Sequence, residues 1–125
     1  MIEQGNGREA LSHLYEAVRL QPDSVPALLE ISWILATNPR PELRNGNEAI
    51  RLAGKACQRA GPNQAEPLKC LAAAYAETGR FEEAVSAGEK AVSAATASQQ
   101  TELAQSLENQ LQLYRSHKPF REAHK

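Results

Sequence analysis

Three observations in the sequence predict an all-α fold, a superhelical solenoid of about six helices arranged as antiparallel pairs. Hydrophobic residues make up 42% of the 125 residues and rest on Ala and Leu, while aromatics are only 5%. Strands are thus poorly supplied and helices well supplied. Three stretches align with one another: GNGREALSHLYEAVRLQP (5–22), RNGNEAIRLAGKACQRAG (44–61) and GRFEEAVSAGEKAVSAAT (79–96). Each carries Glu-Ala and then a second Ala seven places later: Ala10 and Ala17, Ala49 and Ala56, Ala84 and Ala91. Seven residues is close to two helical turns, so each pair shares a face where a neighbouring helix can approach closely.

Along the chain, Gly5-Asn6-Gly7-Arg8 reads as a turn, with a helix starting near Arg8. It lacks the Lys-Ser/Thr and the preceding strand that a phosphate loop would need. In SVPALLEISWILAT (24–37), Leu28, Ile31 and Leu35 form an amphipathic stripe, and Ser24 ahead of Pro26 opens the helix. TNPRPELRNGN holds two prolines and an Asn-Gly, so 38–47 is a long loop. A second helix follows up to residue 61. In NQAEPLKCLAAAYAET (63–78), Leu68, Leu71 and Tyr75 make the stripe. Asn63 with Glu66 marks its start, and Thr78-Gly79 its end. Residues 98–117 form a last helix with Leu103, Leu107, Leu111 and Tyr114 on one face, and Gln99, Gln100, Gln105, Gln110 and Gln112 among its polar residues. That is what the end of a stack requires. Residues 118–125 make a short tail that folds back through Phe120 or frays.

In this arrangement the chain resembles the tetratricopeptide repeat (TPR) family, whose period is about 34 residues. The third unit carries most of the likeness, with Leu71, the small residue Ala72, Tyr75, Gly79, Phe81, Ala84 and Ala91 in the family's order. The first segment adds Gly5, Ala10, Ala17 and Pro22. The stretches SWILATNPRPELRNGNEAIRLA, LAAAYAETGRFEEAV and LYRSHKPFRE resemble the C-terminal TPR block of large bacterial TPR proteins, which in some cases follows a membrane glycosyltransferase-like region. The resemblance implies a partial first repeat over 1–22 (second helix only), a second over 24–61, a third over 63–96 and a capping helix over 98–117. In that register Met1 to Gln4 end a preceding helix. Ala10, Leu14 and Ala17 then face nothing within the chain, as expected either of a stretch cut from a longer solenoid or of an end covered by self-association as a homodimer. Exposing one Leu costs roughly 2 kcal/mol.

Composition narrows the functions. The net charge of −1 offers no basic surface for nucleic acid. Arg51, Lys55 and Arg59 form a stripe, which Arg40 and Arg44 extend, but no aromatics interleave for base stacking, so the stripe reads as a solvated face. No apolar run approaches the ~20 residues of a membrane span, and no signal-peptide pattern opens the sequence. Direct membrane contact is not expected. The sequence as given is therefore expected to be soluble, and the bacterial resemblance implies the cytoplasm or the periplasm. Cys57 and Cys70 read as small buried hydrophobes, with a bridge between them as the alternative. His13, His117 and His124 are isolated, and Glu82 and Glu83 sit at a helix start, where the macrodipole favours them. No catalytic, cofactor or metal site emerges.

Function therefore falls to the groove. The resemblance implies that the first helix of each pair lines it, with Leu29, Glu30, Trp33 and Thr37 from the second unit. The third unit adds Glu66, Lys69, Ala73 and Glu77. Trp33 lies off the Leu28–Ile31–Leu35 stripe, either as a peptide anchor or packed under the 38–47 loop or an adjoining repeat. Ala73 replaces the Asn of the family's carboxylate clamp, and Leu29 with Trp33 replace the other pair, so recognition of chaperone C-terminal tails is not expected. The expected function is a non-catalytic interaction module holding a peptide or helix of a protein partner. The alternative is a structural or assembly appendage of a larger bacterial, membrane-anchored glycosyltransferase-like protein.

Overall fold

The computed structural model describes residues 2–122, with side chains from residue 7 onward. Among the described residues there are six α-helices and no strand. They are α1 (Ile2–Leu20), α2 (Val25–Thr37), α3 (Gly46–Ala60), α4 (Ala65–Glu77), α5 (Phe81–Ala97) and α6 (Thr101–Arg115). Each packs on the next in sequence, and α2 also packs directly on α4. The first helices of successive pairs thus lie side by side, as in a helical repeat arrangement. Met1, His124 and the last three residues of the 118–125 tail lie outside the described residues.

The beginning differs from the expectation. No turn interrupts Gly5 to Arg8, and Ile2 to Gln4 belong to the same continuous helix rather than to the end of a separate one. Gly7 is there for close approach. A Cβ at that position would come within 2.6 Å of Leu43 Cδ1, so the helix rests on the 38–45 connection. Nor is the face of α1 without a partner. Leu11, Leu14 and Val18, spaced i, i+3, i+7, pack on the core formed by α2, α3 and α4, and Ala10 is half-buried. Only Ala17 of the expected trio stands exposed, because the stripe that docks is displaced by one residue from the Ala10–Ala17 pair.

The long connection after α2 is ordered by its own side chains. A single 3-10 turn, Pro41–Leu43, inserts the buried Leu43. Arg44 Nη1 donates to the Asn38 carbonyl at 2.7 Å. The Asn45 side chain then caps α3 by accepting from the Glu48 amide at 3.2 Å. At α4 the N-cap is Gln64 rather than Asn63, with no side-chain cap.

Three helices end with the same stop. After α4, α5 and α6 one residue turns left-handed: Gly79 (φ 81°), Gln99 (φ 61°) and His117 (φ 60°). In each case the following amide donates five residues back, Arg80 to Tyr75 at 2.9 Å, Gln100 to Ala95 at 2.8 Å and Lys118 to Leu113 at 2.9 Å. These are Schellman stops, and glycine adopts them without a Cβ penalty. His117 also stacks flat on Phe81, with ring centres 5.2 Å apart.

Helix α4 belongs to every part of the core. Ala73 and Ala74 face the cluster of α2 and α3; Ala72 and Ala76 face that of α5 and α6. Ala65 and Leu68 join a third with Ala91, Ala95 and Leu107. The alanine pairs of α3 and α5 (Ala49, Ala56, Ala84 and Ala91) are fully enclosed. Leu71, Tyr75 and Phe81 are half-buried. Gln110 departs from the polar face expected of it and is buried in α6, 3.5 Å from Ser106 Oγ.

Enlarging an enclosed alanine should force neighbouring helices apart. Ala74→Leu is expected to destabilise by about 1–3 kcal/mol, whereas Ala17→Leu on the exposed face should change stability by less than about 0.5 kcal/mol. Denaturant titrations of the two variants check this. Gln99→Gly, at an exposed left-handed position, should raise stability by up to about 1 kcal/mol in the same measurement.

Candidate groove around Trp33

The sequence places Trp33 one helical step off the buried stripe of α2, and the structure leaves it half-buried. Its ring packs against Lys69 of the adjoining unit and against Phe120. On one side it walls a cleft of about 360 Å³ between α1, α2 and α4. Leu14, Leu29 and Ile34 supply the apolar lining, with Ala10 and Cys70 beside them. Glu30, Glu66 and Lys69 provide its polar groups. Lys69 Nζ stands 4.4 Å from the centre of the Trp33 ring and 3.7 Å from Glu66 Oε1. A cation there is attracted by the ring face and held by the carboxylate.

The C-terminal segment borders the other side. The Phe120 ring centre lies 5.6 Å from that of Trp33, tilted by 36°. The indole N–H donates to Glu122 Oε2, and the Glu122 amide donates to the Thr37 carbonyl at 2.8 Å. An Arg121 guanidinium nitrogen lies 2.7 Å from Glu77 Oε1, while Arg44 Nε approaches Glu77 Oε2 at 3.3 Å. The carboxylate of Glu77, 16% exposed, is therefore held between two guanidinium groups.

Of the eight expected groove residues, Leu29, Glu30, Trp33, Glu66 and Lys69 converge on the cleft. Glu77 instead lies by the C-terminal segment. Two are corrected. Thr37 is fully buried, its hydroxyl turned back to donate to the Trp33 carbonyl at 2.7 Å, so it offers only its own carbonyl. Ala73 is 1% exposed, enclosed where α4 packs on α2 and α3. Ala10, Leu14, Ile34 and Cys70 were not expected in the cleft. For Leu14 the available signal was its place in the Leu11–Leu14–Val18 stripe.

Elsewhere several arginines are paired on the surface. Arg51 pairs with Glu48 at 2.6 Å and Arg59 with Asp23 at 2.8 Å, which consumes most of the cationic stripe. Arg40 pairs with Glu42 at 2.6 Å. Among the described residues no group of three or more His, Cys, Asp or Glu is placed to hold a metal ion, and no helix is long and apolar enough to cross a membrane. A wider hollow of about 490 Å³ along α5 is lined by Asn63, Ser86, Glu89, Lys90 and small residues, with no aromatic anchor. No family model matches the sequence, and no curated protein or solved structure matches it either.

Cys70, which reaches the cleft, is 2% exposed, and its thiol points at the Leu29 carbonyl at 3.7 Å. Burial is the main cause that pushes this thiol up to about 12. Burial also raises the Tyr114 hydroxyl, which is enclosed without a hydrogen-bond partner. Both groups hold their protons more tightly when folded. Above about pH 9 the unfolded chain releases protons that the folded chain keeps, so stability falls as pH rises through that window. The melting temperature is expected to drop between pH 8 and pH 10.5, and the drop should be smaller in Cys70→Ala.

Proposed function

We propose that the chain is a TPR-like, non-catalytic interaction module that holds a peptide or helix of a protein partner in the groove around Trp33. The observation that carries this reading is the cleft itself: one aromatic wall and an apolar floor, edged by two carboxylates and an ammonium. An indole with its ring partly open offers a large apolar area as an anchor for a ligand. The floor comes from three packed helices, so a ligand docks on side chains already fixed in place and less ordering entropy opposes binding.

The test is selection of peptides from a displayed library against the whole chain. Recovered peptides should bind at least about tenfold more weakly to Trp33→Ala. They should also weaken with Glu30→Lys, an exposed rim change that leaves the core intact. If no peptide shows dependence on either residue, while both variants melt close to the parent, the reading fails.

A further inference from the structure

We infer that the groove recognises an extended segment carrying an aromatic residue, an arginine and a carboxylate in succession, and that Phe120-Arg121-Glu122 is its built-in competitor. The inference rests on the groove function proposed above and specifies the partner. Each of the three residues meets its own receptor group: Phe120 lies beside the Trp33 ring, Arg121 against Glu77 and Glu122 against the indole N–H. The backbone is read as well, since the Glu122 amide meets the Thr37 carbonyl. Thr37 ends α2, where the final carbonyls have no partner within the helix. None of these groups is set aside for the tail. A ring face, a carboxylate, an indole N–H and a helix-end carbonyl would meet the same chemistry from another chain.

The geometry favours a ligand that can be displaced over a fixed structural strap. The tail adds a ring contact on Trp33, packing of Phe120 against the edge of the α4, α5 and α6 cluster, one ion pair whose arginine side chain is 32% exposed, and two hydrogen bonds. Its advantage lies in the tether. The left-handed turn at His117 and the restricted backbone of Pro119 deliver Phe120 five residues after α6 ends. A link this short gives an effective concentration in the millimolar range. A free segment of the same chemistry then binds only the fraction of molecules with the tail released, and its apparent affinity falls by that fraction. Trp33 walls both the tail site and the open cleft, so an incoming segment longer than the tail can continue past the ring onto Leu29 and Leu14.

The experiment uses the full chain and a labelled synthetic peptide, KPFRE, corresponding to residues 118–122, with binding read by fluorescence anisotropy. The double variant Phe120→Ala with Arg121→Ala is expected to bind the peptide about tenfold or more tightly than the parent. Adding Glu77→Gln to that background should remove most of the gain, and a peptide with its arginine replaced by glutamate should not bind. Equal affinity for parent and double variant would overturn the inference, as would absence of binding to both. Library peptides that depend on Trp33 but lack the aromatic–arginine–carboxylate order would overturn it too, while leaving the groove function standing.

Discussion

The structure depends on close approach of other helices to α4 from several sides. A helix between neighbours can carry large side chains on one face only if the neighbours are small there, and α4 meets three clusters at once. Ala72, Ala73, Ala74 and Ala76 meet that constraint with the shortest side chain that still favours helix. The bulk needed to fill the core comes from the partners instead: Leu28, Ile31 and Leu52 on one side, Leu107, Leu111 and Tyr114 on the other. Tight packing of this kind makes a rigid frame, because interiors at crystal-like density do not deform smoothly.

From that frame the groove follows. Helices α2 and α4 are adjacent because their small residues let them touch, so Trp33 and Lys69 come within reach of each other. Helix α1 closes the far side with Leu14, brought in by the i, i+3, i+7 stripe that docks on α2. The end of α6 then turns the chain back so that Phe120 and Glu122 meet the same tryptophan from the other direction. A core built from alanine and a surface centred on one large aromatic ring are two results of the same packing.

The helical architecture was legible because its signals are local and repeated: the apolar stripes, the Thr78-Gly79 stop and the alanine pairs of α3 and α5. Other features were hidden for identifiable reasons. Gly5-Asn6-Gly7 carries the composition of a turn, but Gly7 answers to Leu43, thirty-six residues away in sequence, and no local pattern reports such a contact. The left-handed stops at Gln99 and His117 lack the glycine that advertises Gly79. Thr37 and Ala73 were assigned to the groove by family position alone. Position gives a helix face but not how deeply the neighbours cover it, and both side chains proved enclosed. The contacts of Arg121 and Glu122 need a long-range return of the chain that periodicity does not encode.

The cleft and the tail share a single indole, the only tryptophan in the chain. Its emission therefore arises wholly from this one location, with an ammonium 4.4 Å from its centre and a carboxylate on its nitrogen. Any event that lifts Phe120 or moves Lys69 changes the polarity around that chromophore and shifts its spectrum. The molecule thus carries an intrinsic optical gauge of how its C-terminal segment sits against the cleft, without any attached dye.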